Sequence, residues 1–448
     1  MTDILRFPDG FRWGAATAAH QNEGDNTGNN WHLWEQQPGR IYAGQRCETA
    51  TGWWDLDMAA ADFDRAAEMG LNALRLSVEW SRIEPTPGEY SRQALSRYAQ
   101  MLRLLRERGV EPMVTLHHFT DPVWLGELGG WENPLIGDYF SRFAEKVVDA
   151  LGDQVTLWCT INEPIVYAFY GFHRGLFPPG GTSLPRAITV LRNMLLAHGR
   201  AYRTIHRIQN DAVVGLAHHM RYFLPANPAN PFDRRVATFF DQIANRSTLD
   251  AVTLGKLGPL VGMGQTVPQL IDTSDYIGLN YYSTARISFD ASQPGMLFAK
   301  QYHDPAYANC ECTSDGQPFC EINPPGMYLA LKALQPYGKP IYITENGLPD
   351  KDDKQRPYVL TTYLSEVWKA IRDGVDVRGY YHWTLVDNFE WVEGWNLRFG
   401  LIELDPLTGE RTPRTSAAIY SRIAQSNGVP RSLLEQWAPG DMGKYFGE

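Results

Sequence analysis

The chain has 448 residues, 44% of them hydrophobic and 21% charged, a mixture that excludes a disordered, collagen-like or disulfide-built miniprotein. Its formal net charge of −10, with Lys and Arg scattered rather than gathered into a stripe, speaks against nucleic acid as a partner. No apolar run approaches the roughly 18 residues needed to span a bilayer, and the N-terminal stretch lacks a basic start followed by an apolar core, so the expectation is a soluble cytoplasmic protein with no membrane partner.

In chain order, short β-rich runs alternate with helical patterns, as parallel βα units do. Eight such runs can be marked: Phe11–Ala16, Ala73–Glu79, Pro112–His118, Trp158–Asn162, Val213–His218, Tyr276–Tyr281, Ile341–Thr344 and Val377–Trp383. Several are continuously apolar, as strands buried on both faces are. Helical periodicity lies between them: Ala94, Leu95, Tyr98, Met101, Leu102 and Leu105 share one face, and Tyr139, Phe140, Phe143, Ala144, Val147, Val148 and Leu151 share another. With no linker in sight, the pattern predicts an α/β fold, a single (β/α)₈ TIM barrel over residues 1–448 with loop insertions at Leu224–Pro231 and Ser288–Gly326.

The second insertion carries Cys310, Cys312 and Cys320, while Cys47 and Cys159 stand alone. Five is an odd number for a disulfide framework, and no fourth ligand stands at zinc-site spacing, so reduced thiols and no metal are expected. The 14 Trp and 22 Tyr suit a large core or aromatic platforms for sugar rings, and composition does not separate the two.

In such a barrel the chemistry sits where strands end at the C-terminal face. Those ends are polar here: Arg75 in the second run, His117-His118 closing the third, Asn162-Glu163 the fourth, Asn280-Tyr281-Tyr282 the sixth and Glu345-Asn346 the seventh. Glu163 precedes Pro164, which favours extended geometry, and Glu345 precedes the turn signal Asn346-Gly347. Either glutamate alone reads more readily as a rim residue or an ion pair. As a pair on strands 4 and 7 they suit glycosidic-bond hydrolysis with retention, which uses two carboxyls about 5–5.5 Å apart. Arg75 and the Tyr282 hydroxyl are placed to hold Glu345 ionised as nucleophile, whereas Glu163, losing solvation among apolar neighbours, keeps its proton as acid/base.

These residues stand in segments that resemble glycoside hydrolase family 1, the β-glucosidase family, across nearly the whole chain. TINEP (Thr160–Pro164) is similar to its acid/base motif and ITENG (Ile343–Gly347) to its nucleophile motif. FRWGAATAAHQNEG carries Gln21, TLHHFTDP carries His118, GLNYY carries Asn280 and Tyr282, and HWTLVDNFEWVEGWNLRFG carries Trp383, Glu390, Trp391 and Phe399. The resemblance implies that Gln21, His118, Asn162, Glu390 and Trp391 grip the hydroxyls of a non-reducing sugar over the Trp383 platform, with Asn280 and Tyr282 supporting the nucleophile. It also implies a small-molecule β-glycoside or oligosaccharide substrate and no cofactor.

Other residues read as structural. His117, His198, His206 and His218 are expected as core or helix histidines, His173 and His219 at the rim, Trp53, Trp54, Trp80 and Trp158 in packing, and Glu79 and Glu393 in ion pairs. The chain departs from the common family pattern at Glu79, Phe119 and Thr120, where it resembles a subgroup of the family, and at Ile165, Cys320 and Trp395, so the leaving-group side is expected to be rebuilt. Keeping Glu390, whose charge repels phosphate, favours an unphosphorylated sugar, and keeping Glu163 favours O-glycosides over thioglycosides. The expected activity is release of terminal β-D-glucosyl residues, with β-galactosyl and β-fucosyl groups tolerated. Two rival readings are a transglycosylase, revealed by products at high substrate concentration, and a silent sugar-binding barrel, which the retention of both glutamates opposes. A homo-oligomer stays open.

Overall fold

The computed structural model describes residues 3–48, 50–309 and 311–446. Eight strands form the centre: β1 (Arg12–Ala16), β2 (Ala73–Ser77), β3 (Glu111–His117), β4 (Leu157–Asn162), β5 (Val213–Pro225), β6 (Ile277–Phe289), β7 (Ile341–Asn346) and β8 (Val377–Trp383). Each pairs in parallel with its chain neighbour, β8 pairs with β1, and the ring closes as the predicted barrel. β2, β4 and β7 are buried at every position, because barrel strands have side chains packed inside and helices packed outside.

The outer layer consists of α1 (Leu56–Glu68), α2 (Arg92–Glu107), α3 (Ile136–Leu151), α4 (Leu184–Ile208), α5 (Ser247–Leu254), α6 (Pro324–Leu334), α7 (Arg356–Arg372) and α8 (Thr415–Ser426). Their starts are chemically marked. Asp55 caps α1 through the Asp57 amide, and Ser91 caps α2 through the Ala94 amide. The inner faces of α2 and α3 bury the predicted residues, with Leu95 and Tyr139 at the margins. None of the described helices is long and apolar enough to cross a membrane.

Two strands are longer than their sequence runs. β5 and β6 stay paired beyond the barrel, from Tyr222↔Thr284 to Pro225↔Ile287, and Ala299–Tyr302 adds to β6 antiparallel. Leu224 and Pro225, expected in a loop insertion, therefore belong to a strand; Ile287 and Ala299 are buried with Phe223 and Phe240 packed against them, which gives the projecting ribbon its own apolar support. Arg286 ties the far end of the second insertion back through two hydrogen bonds to Glu321 at 3.0 Å. Within that insertion Cys312 is exposed and Cys320 buried, whereas Cys310 lies outside the described residues.

Candidate active site

Arg75, inside β2 and fully buried, organises the strand ends. Its Nε donates to Thr115 Oγ1 at 3.0 Å, one terminal nitrogen donates to Glu345 Oε1 at 2.6 Å and the Thr344 carbonyl at 3.2 Å, and the other to Asn162 Oδ1 at 2.6 Å. A planar guanidinium suits this because its donors diverge in one plane. The Tyr282 hydroxyl donates to Glu345 Oε2 at 2.7 Å, so both nucleophile-candidate oxygens are held. Asn280 is oriented by Thr344, whose hydroxyl donates to its Oδ1 at 2.7 Å; its amide then donates to Glu163 Oε1 at 2.8 Å and Asn162 Oδ1 at 3.1 Å. Hydrogen bonds thus link six of the expected site residues: Glu163, Asn280, Asn162, Arg75, Glu345 and Tyr282.

Glu163 departs from the expected extended backbone. It sits in the left-handed region at φ 43°, ψ 61°, as the residue capping helix Pro164–Phe172. Its amide donates to the Ala217 carbonyl of β5 at 2.8 Å and its carbonyl accepts from Tyr167 at 3.1 Å, and these contacts override the preference set by the following proline. The conformation turns the carboxylate off the strand end towards Asn280 and His219.

His219, which the sequence reading set at the rim without a role, stands next to Glu163. On β5, its Nδ1 lies 3.2 Å from Glu163 Oε1, and Arg221 Nε donates to its Nε2 at 3.2 Å. The alternation of the strand carries a usable signal, since His219 and Arg221 point to one face two residues apart. The longer observed β5 is what brings that face to the site.

The electrostatics turn on this histidine. Burial pushes Glu345 up to about 7, opposed by the charge of Arg75 and the bonds from Arg75 and Tyr282, and reinforced by the charge of Glu163. Burial also raises Glu163, but a charged His219 beside it, with the bonds from His219 and Asn280 and the charge of Arg75, brings it below the usual carboxylate value. That order reverses the sequence expectation, and its cause is an imidazolium at His219. The Arg221 bond removes the cause: an arginine N–H can only donate, so Nε2 accepts, Nδ1 carries the hydrogen, and the ring is neutral. Glu163 then faces two neutral donors on Oε1, while Glu345 keeps a guanidinium at 2.6 Å. The two carboxyls titrate as a pair, and with His219 neutral the guanidinium on Glu345 favours the proton on Glu163, whose Oε2 no donor reaches among the described residues.

Beside the carboxylates lies a polar hollow. Burial holds His118 neutral and far below the usual histidine value; its Nε2 accepts from the Asn162 amide at 3.1 Å, leaving a buried Nδ1–H without a partner. Gln21 donates to the Phe389 carbonyl at 2.7 Å and to Glu390 Oε2 at 3.3 Å, while its own Oε1 is buried and unpaired. Buried polar atoms rarely stay unpaired, and a donor beside an acceptor suits sugar hydroxyls. Trp383, closing β8, and Trp391 flank His118 with ring centroids 5.8 and 6.0 Å away. Phe399 packs edge-on to Tyr282 at 6.2 Å.

Glu390 calls for a correction. Burial pushes its carboxyl up to about 8, against bonds from Trp383 and Gln21 and with the charge of Glu345 adding to the rise. Near neutral pH Glu390 is therefore largely a carboxylic acid, and the charge repulsion expected to exclude a phosphate is weakened.

Elsewhere, His117 bonds Asp121 at 3.0 Å, His198 bridges Thr160 and the Thr273 carbonyl, and His206 bonds Asp275, all structural as expected. Trp53, Trp80 and Trp158 are buried, and Trp54 packs under Arg82 at 4.0 Å. Among the described residues neither Glu79 nor Glu393 has the expected ion-pair partner: Glu79 accepts from Ser81 and Thr120, and Glu393 from Ser314 of the second insertion. Of the departures on the leaving-group side, Ile165 lines a cavity beside Glu163, whereas Cys320 is buried in the core.

Comparison with known proteins gives a consistent picture. Residues 4–429 match the family model described as Glycosyl hydrolase family 1. A β-galactosidase of Sulfolobus acidocaldarius is 32% identical over 96% of this chain and 97% of its own. The structure of a β-glycosidase from Pyrococcus horikoshii superposes with a TM-score of 0.86 at 36% identity, covering 97% of this chain and 98% of that one. A β-glucosidase from Thermotoga maritima, solved in complex with glucoimidazole, also gives 0.86, at 31% identity over 95% and 100% of the two chains.

Proposed function

The chain belongs to glycosyl hydrolase family 1, and from that premise we propose that it releases terminal β-D-glucosyl residues from O-glycosides with net retention, Glu345 acting as nucleophile and Glu163 as acid/base. β-Galactosyl groups belong to the same proposal, because relatives of both kinds align over nearly the full chain. The observation that carries the assignment is the unequal support of two buried carboxylates: Glu345 has both oxygens bound by Arg75 and Tyr282, while Glu163 has one oxygen bound and one open.

The chemistry follows from that inequality. Glu345 is held as an anion and attacks the anomeric carbon; Glu163 delivers the proton on Oε2 to the departing oxygen. In the second step Glu163 takes a proton from water, which displaces Glu345 from the sugar. The unpaired Gln21 Oε1 and His118 Nδ1 take sugar hydroxyls, together with Asn162, Glu390 and Trp391, and Trp383 supplies the apolar platform. Proton NMR during hydrolysis of an aryl β-glucoside tests the sequence of events. The β-anomer appears first if Glu345 is the nucleophile; an α-anomer at the outset overturns the two-step mechanism.

A further inference from the structure

A second cavity, of ≈ 210 Å³, opens beside Glu163 and shares none of the sugar-binding candidates. Its walls include Ile165, Phe169, Phe223, Phe240, Ile243 and Met296, from the helix after β4, the β5 extension, the helical segment Pro231–Arg246 that follows it and the second insertion. His219 joins it to Glu163. Two guanidiniums line it, and among the described residues neither makes an ion pair: Arg221 gives its Nε to His219, and Arg174 rests on Met296 Sδ at 3.9 Å. Asp315, held low mainly by its bond from Thr313, feels Arg174 only from beyond ion-pair distance. The wall also contains His173, whose Nδ1 is buried and unpaired.

Resting on the glycosidase reading, we propose that this cavity takes the aglycone, and that the aglycone it fits is a single aromatic ring bearing a carboxylate. The volume suits one substituted ring, since a cavity of about 150 Å³ accommodates benzene. The apolar walls favour an aromatic body over a second sugar, which has less apolar surface to bury against them. The position of the charge follows from Arg221, which lies one imidazole ring and two hydrogen bonds from Glu163 Oε1. A glycosidic oxygen at Glu163 and an anion at Arg221 are therefore spanned by a ring substituted at its far end. A carboxylate supplies planar, charge-assisted acceptors to guanidinium groups that lack any. The net charge of −10 makes this basic cavity a local exception on an acidic protein.

The test compares kcat/KM for 4-carboxyphenyl and 4-carbamoylphenyl β-D-glucoside, which differ in charge and little in shape. The intact protein should prefer the carboxylate by about tenfold, through KM, and the preference should shrink as salt rises. Arg221→Gln and Arg174→Gln should each reduce the ratio and together bring it near unity. Using a ratio on each variant cancels any change that Arg221→Gln makes to Glu163 itself. Equal rates in the wild type, or a preference that survives both substitutions, overturns the proposal. If Arg221→Gln does not fold, the exposed Arg174→Gln and the salt dependence decide it. Absence of turnover on the neutral glucoside would instead strike the glycosidase reading itself.

Discussion

The two hollows that meet at Glu163 are built on different principles. The sugar side is made of strand ends and the segment after β8, with its polar groups tied to one another: Arg75 to Asn162 and Glu345, Asn162 to His118, Gln21 to Glu390. The leaving-group side is made of two helical segments, a strand extension and an insertion, with apolar walls and two guanidiniums that make no ion pair among the described residues. The barrel fixes the first because a strand end cannot move without its neighbours. The second hangs on segments outside the barrel, so its chemistry can change while the sugar site stays intact.

The largest expected effect lies at the junction. Glu345→Gln should lower kcat by roughly four orders of magnitude or more, since the first step has no alternative nucleophile. Circular dichroism should leave the fold unchanged, because the replacement keeps the volume. Retention of substantial turnover by the purified variant would move the nucleophile elsewhere and dissolve the division between the two hollows.

A second comparison sets the two sides directly against each other. Gln21→Leu should cost about 10²-fold in kcat/KM on every β-glucoside, because a buried sugar hydroxyl loses its partner. Phe223→Ala should cost less than about tenfold, and only with apolar aglycones, because it removes area from one wall. Equal losses from both changes across a panel of aglycones would show that the sides are not separable.

The sequence carried the sugar side more fully than the leaving-group side, for a physical reason. Arg75, Asn162, Glu163, Asn280, Tyr282 and Glu345 close or interrupt apolar strands, and a polar residue there has only the barrel mouth to occupy. The strand pattern was readable for the same reason: burial on both faces leaves unbroken apolar runs. His219 and Arg221 lie just beyond the run Val213–His218 marked in the sequence, and only the continued pairing of β5 with β6 turns them inward. The backbone of Glu163 was misread because a contact distant in sequence, its amide to Ala217, outweighs the local effect of Pro164. Glu79 and Glu393 show the same limit: a charge in the sequence does not reveal whether its partner is a cation or a hydroxyl.

The smallest expected effect is also the most diagnostic, and it concerns the residue shared by both hollows. In the free enzyme the alkaline limb of kcat/KM follows loss of the proton from Glu163. His219 donates to the Glu163 carboxylate and so stabilises the ionised form; removing that donor raises the Glu163 pKa. His219→Phe should therefore move the alkaline limb to higher pH, with kcat/KM near neutrality changed by less than about tenfold. The acid limb, which follows Glu345, should stay in place, because Arg75 and Tyr282 are untouched. An alkaline limb that stays in place or moves to lower pH would mean that His219 is a wall of the leaving-group cavity and not the group that sets the proton on Glu163.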